Sequence, residues 1–332
     1  MGHKLTIIMY HFVRDLYHSR YPEIKGLQLS HFKEQLGYIE KHYTVIRMAE
    51  LIAAAYSADH RLPQNAALLT FDDGYIDHYT NVFPILDEKG IQGCFFPPAK
   101  AIKECQVLDV NKIHFVLASV SNKAKIIQYI FSMLDEARAE YSLKENELYY
   151  NTLAASNRFD TGEVVFIKSI LQRELPEKLR REIVNNLFRK YVTEDEGSFA
   201  RELYMSVDQL KCMVRNGMYV GSHGYDHYWL DTLDKDNQEK EVDLSLEFLK
   251  EIGCSRDSWV MCYPYGAYND SLLSILKKKG CKAGLTTRVG IADLNSGHPL
   301  TMPRLDTNDL PKERDSLPNA WTSKVLEDKT YF

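Results

Sequence analysis

At 332 residues with a 45% hydrophobic share, the chain can build one large α/β domain or two ordinary ones. Its formal net charge of −5 excludes a protein that works through a basic nucleic-acid-binding face. Six cysteines without a CxxC pair, no apolar stretch near the ~20 residues of a membrane span, and an N-terminal apolar segment too short for a signal-peptide core predict a soluble, cytoplasmic chain with reduced thiols.

Residues 5–10 (LTIIMY) predict a buried first strand that ends at His11 and Phe12. His11, just past a strand end, is open to two readings: a site residue or a hydrogen-bonded structural group. Ser30 caps a helical pattern with Phe32, Leu36 and Ile39 on one face. A short strand at 43–47 and a helix at 48–56 follow. The apolar run 66–69 then leads into Asp72, Asp73 and Gly74. Consecutive strand residues point to opposite faces. At a strand end, where Gly74 lets the backbone turn, both carboxylates can converge. Two carboxylates that close repel, so their chemistry is metal binding or a division into base and ligand. Residues 75–89 are predicted helical, closed by Gly90, and 93–97 form the next strand. Strands apolar on both faces belong to parallel sheets of α/β folds.

From 101 to 203 the rhythm breaks into helices at 111–120, 123–140, 163–174 and 177–191, a helical insertion large enough for a small subdomain. Its Arg180, Arg181, Arg189 and Lys190 are interleaved with glutamates and read as a solvated helix face. The α/β rhythm resumes at Met205. A helix capped by Ser206 ends at Gly217, and a strand at 218–221 delivers His223 and His227. A helix at 236–252, a strand at 258–262 with the turn 263–266, a helix at 270–279, strands at 283–287 and 300–305 and a polar tail from 311 to 332 complete the chain. His223 and His227 are four apart, and on a helical turn i and i+4 share a face, the spacing two imidazoles need to hold one metal. With the acidic pair and the turn 263–266 at other strand ends, they gather where parallel α/β folds place catalytic groups.

In that order, TFDDGY (70–75), SHGYDH (222–227) and YPYG (263–266) resemble the first three motifs of the polysaccharide deacetylases of carbohydrate esterase family 4, the NodB-homology fold. MYH at 9–11 and PRLD at 303–306 resemble a cytoplasmic-type branch of it. The resemblance covers 1–100 and 204–310. It implies a distorted (β/α) barrel of about seven parallel strands over 1–310, interrupted by the helical insertion 101–203, and metal-dependent hydrolysis of an N-acyl group on an amino sugar. Carried over motif by motif, Asp72 is the expected general base. Asp73, His223 and His227 are the expected ligands of one divalent metal, zinc before others, which would lower the pKa of a bound water and polarise the acyl carbonyl. The backbone N–H of Tyr265 is the expected oxyanion donor.

Two departures stand out. Where the family's third motif carries an arginine that orients the base, this chain has Cys262. Arg304 is expected to replace it, the alternative being a structural salt bridge to Asp306 or Asp309. The family's late histidine, the general acid, has no terminal motif here, so His298 is the candidate and His11 the next choice. The expected substrate is a nucleotide-linked, lipid-linked or glycan N-acyl amino sugar of surface-glycan (O-antigen or capsule) biosynthesis. The insertion is expected as a wall or lid over the metal, or as a contact in a homo-oligomer. Two rivals share the fold: a degenerate deacetylase retained for sugar binding, and a deformylase or other carbon–nitrogen amide hydrolase. A non-haem iron oxygenase also uses two histidines and a carboxylate, but strand–helix alternation disfavours it.

Overall fold

The computed structural model describes residues 3–57 and 59–326; the last six positions of the predicted tail lie outside the described residues. Seven principal strands run parallel: β1 (Lys4–Tyr10), β2 (Ala66–Asp72), β3 (Cys94–Phe96), β4 (Tyr219–Val220), β5 (Val260–Cys262), β6 (Ala283–Val289) and β7 (Met302–Asp306). All but β4 and β5 pair with both neighbours in sequence, and β7 returns to β1. Between β4 and β5 there is only a bridge of Ser222 with Met261, where the Ser222 amide donates to Val260 O at 2.9 Å and the Cys262 amide to Ser222 O at 2.8 Å. The strands therefore close into a seven-stranded α/β barrel with one weak seam.

Burial fixes which way the strand residues point. Ile7 of β1, Leu68 of β2, Phe96 of β3, Cys262 of β5, Leu285 of β6 and Met302 of β7 join one apolar cluster. Six strands can share one cluster only inside the barrel. Side chains repeat every second residue, so Leu68 predicts that Asp72 points inward at the carboxyl end of β2, and Met302 predicts the same for Arg304. Both are buried, at 2% and 1% exposure.

The helices are α1 (Leu29–His42), α2 (Met48–Tyr56), α3 (Phe83–Glu88), α4 (Ala99–Lys103), α5 (Asp109–Ser119), α6 (Lys123–Tyr141), α7 (Asn146–Leu153), α8 (Gly162–Ser169), α9 (Glu177–Tyr191), α10 (Glu196–Leu203), α11 (Val207–Arg215), α12 (Lys235–Glu251), α13 (Asp270–Lys278) and α14 (Ser323–Leu326). Two compact units emerge. One comprises Met1–Asp15, Gly26–Glu104 and Arg201–Phe332 and holds the barrel; the other comprises Leu16–Lys25 and Cys105–Ala200 and is helical from α5 onward. Inside the second unit, α5 packs on α9, and α6 packs on α8 and α9. The apolar stripe of Ile126, Ile130 and Leu134 is buried there, as its 3.6-residue spacing requires.

Several local expectations change. The helix read from residue 75 begins later, because Tyr75 forms an antiparallel bridge with Tyr204, and it passes through a π-helical turn at His78–Val82. Helices α4, α7 and α10, five to eight residues long, were too short for periodicity to reveal. Within 311–326, the polar tail is bonded to α1. Pro311 O accepts from Gln35 of α1 at 3.2 Å, and Thr322 accepts from Tyr38 of α1 at 3.3 Å.

Candidate metal and hydrolase site

The two carboxylates of TFDDGY converge by a backbone reversal. Asp72 ends β2 facing into the barrel, whereas Asp73 and Gly74 both take left-handed φ, +69° and +67°. Two such residues in succession turn the chain so that Asp73 reaches the same end of the barrel. Gly74 is required twice over, since a Cβ there would also stand 2.8 Å from Pro97 Cβ.

Asp72 is gripped by Arg304. Nη1 donates to Oδ1 at 2.9 Å and Nη2 to Oδ2 at 2.7 Å, a bidentate pair. The guanidinium is itself held: Nε donates to Thr286 O at 2.9 Å and Nη1 to Thr70 Oγ1 at 3.1 Å. Burial works to raise the Asp72 pKa, but the Arg304 charge outweighs it and brings the carboxyl down to about 2. The alternative partners of Arg304, Asp306 and Asp309, are engaged with each other, the Asp306 amide donating to Asp309 Oδ2 at 3.1 Å. The register shift between Met302 and Arg304 in the β6–β7 pairing accompanies this placement.

Asp73 faces two imidazoles. Its Oδ1 lies 3.3 Å from His223 Nε2 and 3.4 Å from His227 Nε2, and the two rings stand 4.8 Å apart at 68°. The expected helical turn is absent: 223–227 is an irregular loop, turned by left-handed φ at Gly224 (+73°) and His227 (+54°). Glu241 of α12 braces it, accepting from the amides of Tyr225 and Asp226, each at 3.0 Å. Cys262 O accepts from His223 Nδ1 at 2.7 Å, which fixes a proton on Nδ1 and turns Nε2 toward Asp73. Burial lowers the His223 pKa, but the neighbouring Cys262, Asp73 and Asp72 outweigh it and raise it, so an ion binding here would displace a proton from Nε2. Burial disfavours a charge on His227 and lowers its pKa, keeping the imidazole in its ligating form.

This trio fits a divalent ion. Asp73 Oδ1 is buried and accepts no hydrogen bond. Its distances to the two Nε2 atoms are long for hydrogen bonds and match the ~3.3–3.4 Å that separates donors placed ~2.0–2.1 Å from a tetrahedral ion. All three donor atoms lie within 4.8 Å of one another. A second grouping, Asp72, His223 and Cys262, meets the same distance test. It is no rival, because Arg304 already occupies both Asp72 oxygens.

Tyr265 completes the rim. Its backbone is left-handed (φ +57°), and its ring stacks on Trp229 at 4.3 Å and meets His227 edge-on at 4.8 Å. His11 lies close enough for its charge to act on both Asp72 and Asp73. His298 is not brought to the site. It precedes β7, at the amino end of the strands, exposed beside a cavity of about 290 Å³ that Asp293 and Ser296 also line. A general acid must reach the leaving group, so the expectation for His298 is corrected.

Sequence reading missed four supporting residues: Thr70, Tyr75, His78 and Glu241. Tyr75 donates its hydroxyl to Asp73 Oδ2 at 2.5 Å. His78 is wholly buried and held neutral by that burial, with its pKa lowered to about 4, and its Nε2 donates to His11 O at 2.9 Å. Thr70 and Tyr75 lie within the motif and were visible. Glu241 and His78 carried no signal beyond a charged or polar residue in a helical stretch.

Comparisons with known proteins identify the family and the fold. A family model described as polysaccharide deacetylase matches residues 59–131 and 183–284, more than half of the chain. A Bacillus subtilis protein named as a polysaccharide deacetylase, YxkH, is 28% identical over 100 residues, 30% of this chain and 36% of that protein. The Escherichia coli poly-β-1,6-N-acetyl-D-glucosamine N-deacetylase is 40% identical over 62 residues, 18% of this chain and 9% of that protein. The chain thus spans well under half of either relative. Two solved structures share the fold: Streptococcus pyogenes deacetylase PplD in complex with acetate (TM-score 0.56, 18% identity, covering 98% of this chain and 97% of that one) and IcaB from Ammonifex degensii (TM-score 0.52, 20% identity, 92% and 93%).

Proposed function

Because the chain belongs to the polysaccharide deacetylase family, we propose that it is a metal-dependent hydrolase that removes an N-acyl group, acetyl in the first instance, from an amino sugar. The observation that carries this reading is the arrangement at the barrel mouth: both Asp72 oxygens accept from Arg304, while Asp73, His223 and His227 present three convergent donor atoms.

The trio would hold the ion, zinc by donor type. When bound, the ion supplies an acidified water and polarises the acyl carbonyl. Asp72, kept ionised by Arg304, is the residue that would accept a proton from the attacking water. The Tyr265 N–H donates to the oxygen on which negative charge develops. With His298 at the other end of the strands, His11 is the candidate to protonate the departing amine.

For the substrate we infer an N-acyl amino sugar of surface-glycan biosynthesis, nucleotide-linked, lipid-linked or polymeric. All six cysteines are free, which fits work in the reducing cytoplasm. The helical unit, with Leu148 and Phe159 each 53% exposed, is our candidate for a contact between copies of the chain, to be tested by light scattering. The degenerate-deacetylase reading loses its support, since Arg304 supplies the cation that Cys262 does not. Acetate and formate release from N-acetyl and N-formyl amino sugars, free and polymeric, tests the proposal. Product from none of them, with the ion bound, would sink it.

A further inference from the structure

Asp73 has two oxygens in two different environments. Oδ1 faces the imidazoles and accepts no hydrogen bond. Oδ2 accepts from the Tyr75 hydroxyl at 2.5 Å, the short length of a phenol bonded to a charged carboxylate. We propose that Tyr75 is a positioning residue that commits Asp73 to binding the ion through Oδ1 alone. This rests on the metal reading above and adds to it a control of how the carboxylate ligates.

A free aspartate can turn about its side-chain bonds and offer either oxygen, or both, to an ion. Tyr75 removes that freedom only if it cannot itself move. Its ring, 1% exposed, lies against Phe12 with centroids 3.8 Å apart at 20°, and parallels Tyr204 at 6.2 Å. Its backbone is pinned by the bridge to Tyr204, beside the bond from the Met205 amide to Gly74 O at 2.9 Å. On the carboxylate side, the left-handed backbone of Asp73 is one that few non-glycine residues adopt, and it sets the direction from which the side chain leaves. Both ends of the hydrogen bond are therefore fixed before any ion arrives.

The bland alternative is that Tyr75 is a core aromatic whose hydroxyl happens to be satisfied. Tyr75→Phe separates the two, because phenylalanine keeps the stack on Phe12 and loses only the donor. Metal-free wild type and Tyr75→Phe would be titrated with Zn²⁺ against a competing chelator, and with Co²⁺ while the visible spectrum is recorded. The expected result is a zinc Kd raised about 10- to 100-fold, the usual effect of removing a group that orients a ligand. The cobalt bands should also change, with the metal-free protein melting as wild type does. Equal Kd and identical cobalt bands would overturn the proposal while leaving the metal site standing. A wild type that binds no ion would overturn the metal reading and this inference with it. Should the variant not fold, a structure of the zinc-loaded wild type decides. Zinc on Oδ1 alone with Tyr75 on Oδ2 supports the inference, and zinc shared by both oxygens overturns it.

Discussion

Arg304 and Asp72 are 232 residues apart in sequence and meet inside the barrel as a two-point ion pair, Nη1 to Oδ1 at 2.9 Å and Nη2 to Oδ2 at 2.7 Å. The pair holds the carboxylate's orientation and its charge together. Burial alone would raise the Asp72 pKa, and the guanidinium outweighs it. Replacing the guanidinium by an apolar chain should therefore let Asp72, the proposed base, gain a proton more easily. We expect Arg304→Met to lower kcat more than tenfold and to move the acidic limb of the pH–rate profile upward. Arg304→Lys, which keeps the charge but not the fork, should show a smaller shift of the limb. An unmoved acidic limb would mean that something other than Arg304 tunes the base.

The same pair bears on stability. The folded pKa of about 2 lies below the ~3.9 of an unfolded aspartate, so the stabilisation is complete above about pH 4 and is lost as pH falls towards 2. Asp72→Asn leaves a buried guanidinium without its counter-ion, a change that costs about 3–5 kcal/mol in comparable pairs. That variant should melt at lower temperature and turn over no substrate, yet keep its metal. Calorimetry with metal analysis on one preparation checks all three, and loss of the ion would show that Asp72 also ligates.

Gly74 is the hinge of the acidic turn. An alanine Cβ would meet Pro97 Cβ at 2.8 Å on a backbone with φ +67°. Gly74→Ala should cost about 1–3 kcal/mol and weaken metal binding, because Asp73 and Tyr75 flank the strained position. Unchanged melting and unchanged metal affinity would show that the turn relaxes freely.

Glu241 reaches the histidine loop from α12. Without its carboxylate, the half-buried amides of Tyr225 and Asp226 lose their acceptor, at a cost of about 1 kcal/mol. Glu241→Ala should loosen the loop and raise the metal Kd, while Glu241→Gln, which keeps a carbonyl acceptor, should recover much of it. Equal metal affinity in wild type and Glu241→Ala would rule out a bracing role.

The barrel was legible because β1 and β2 are apolar on both faces and the helices between strands keep their 3.6-residue stripe. The site was legible where a motif is local. Asp72 and Asp73 adjoin a glycine, and His223 and His227 sit on one short segment. The helical turn expected for the histidines was wrong in mechanism though the convergence is real, because left-handed φ at Gly224 and His227 does the work that i and i+4 spacing does on a helix. His298 misled because proximity in sequence to β7 says nothing about which end of the strand a residue occupies. The supports of the site come from long-range packing: Glu241 from α12, and His78 from a π-helical turn whose extra residue per turn has no signature in hydrophobic period.

The measurement that tests the account most directly is acetate release from an N-acetylglucosamine oligomer by metal-free protein titrated with Zn²⁺, run beside Asp72→Asn. The account predicts that release rises to a plateau at one equivalent of zinc in wild type, and that Asp72→Asn binds the same equivalent and releases none. Release that is independent of zinc, or an Asp72→Asn protein as active as wild type, would contradict it.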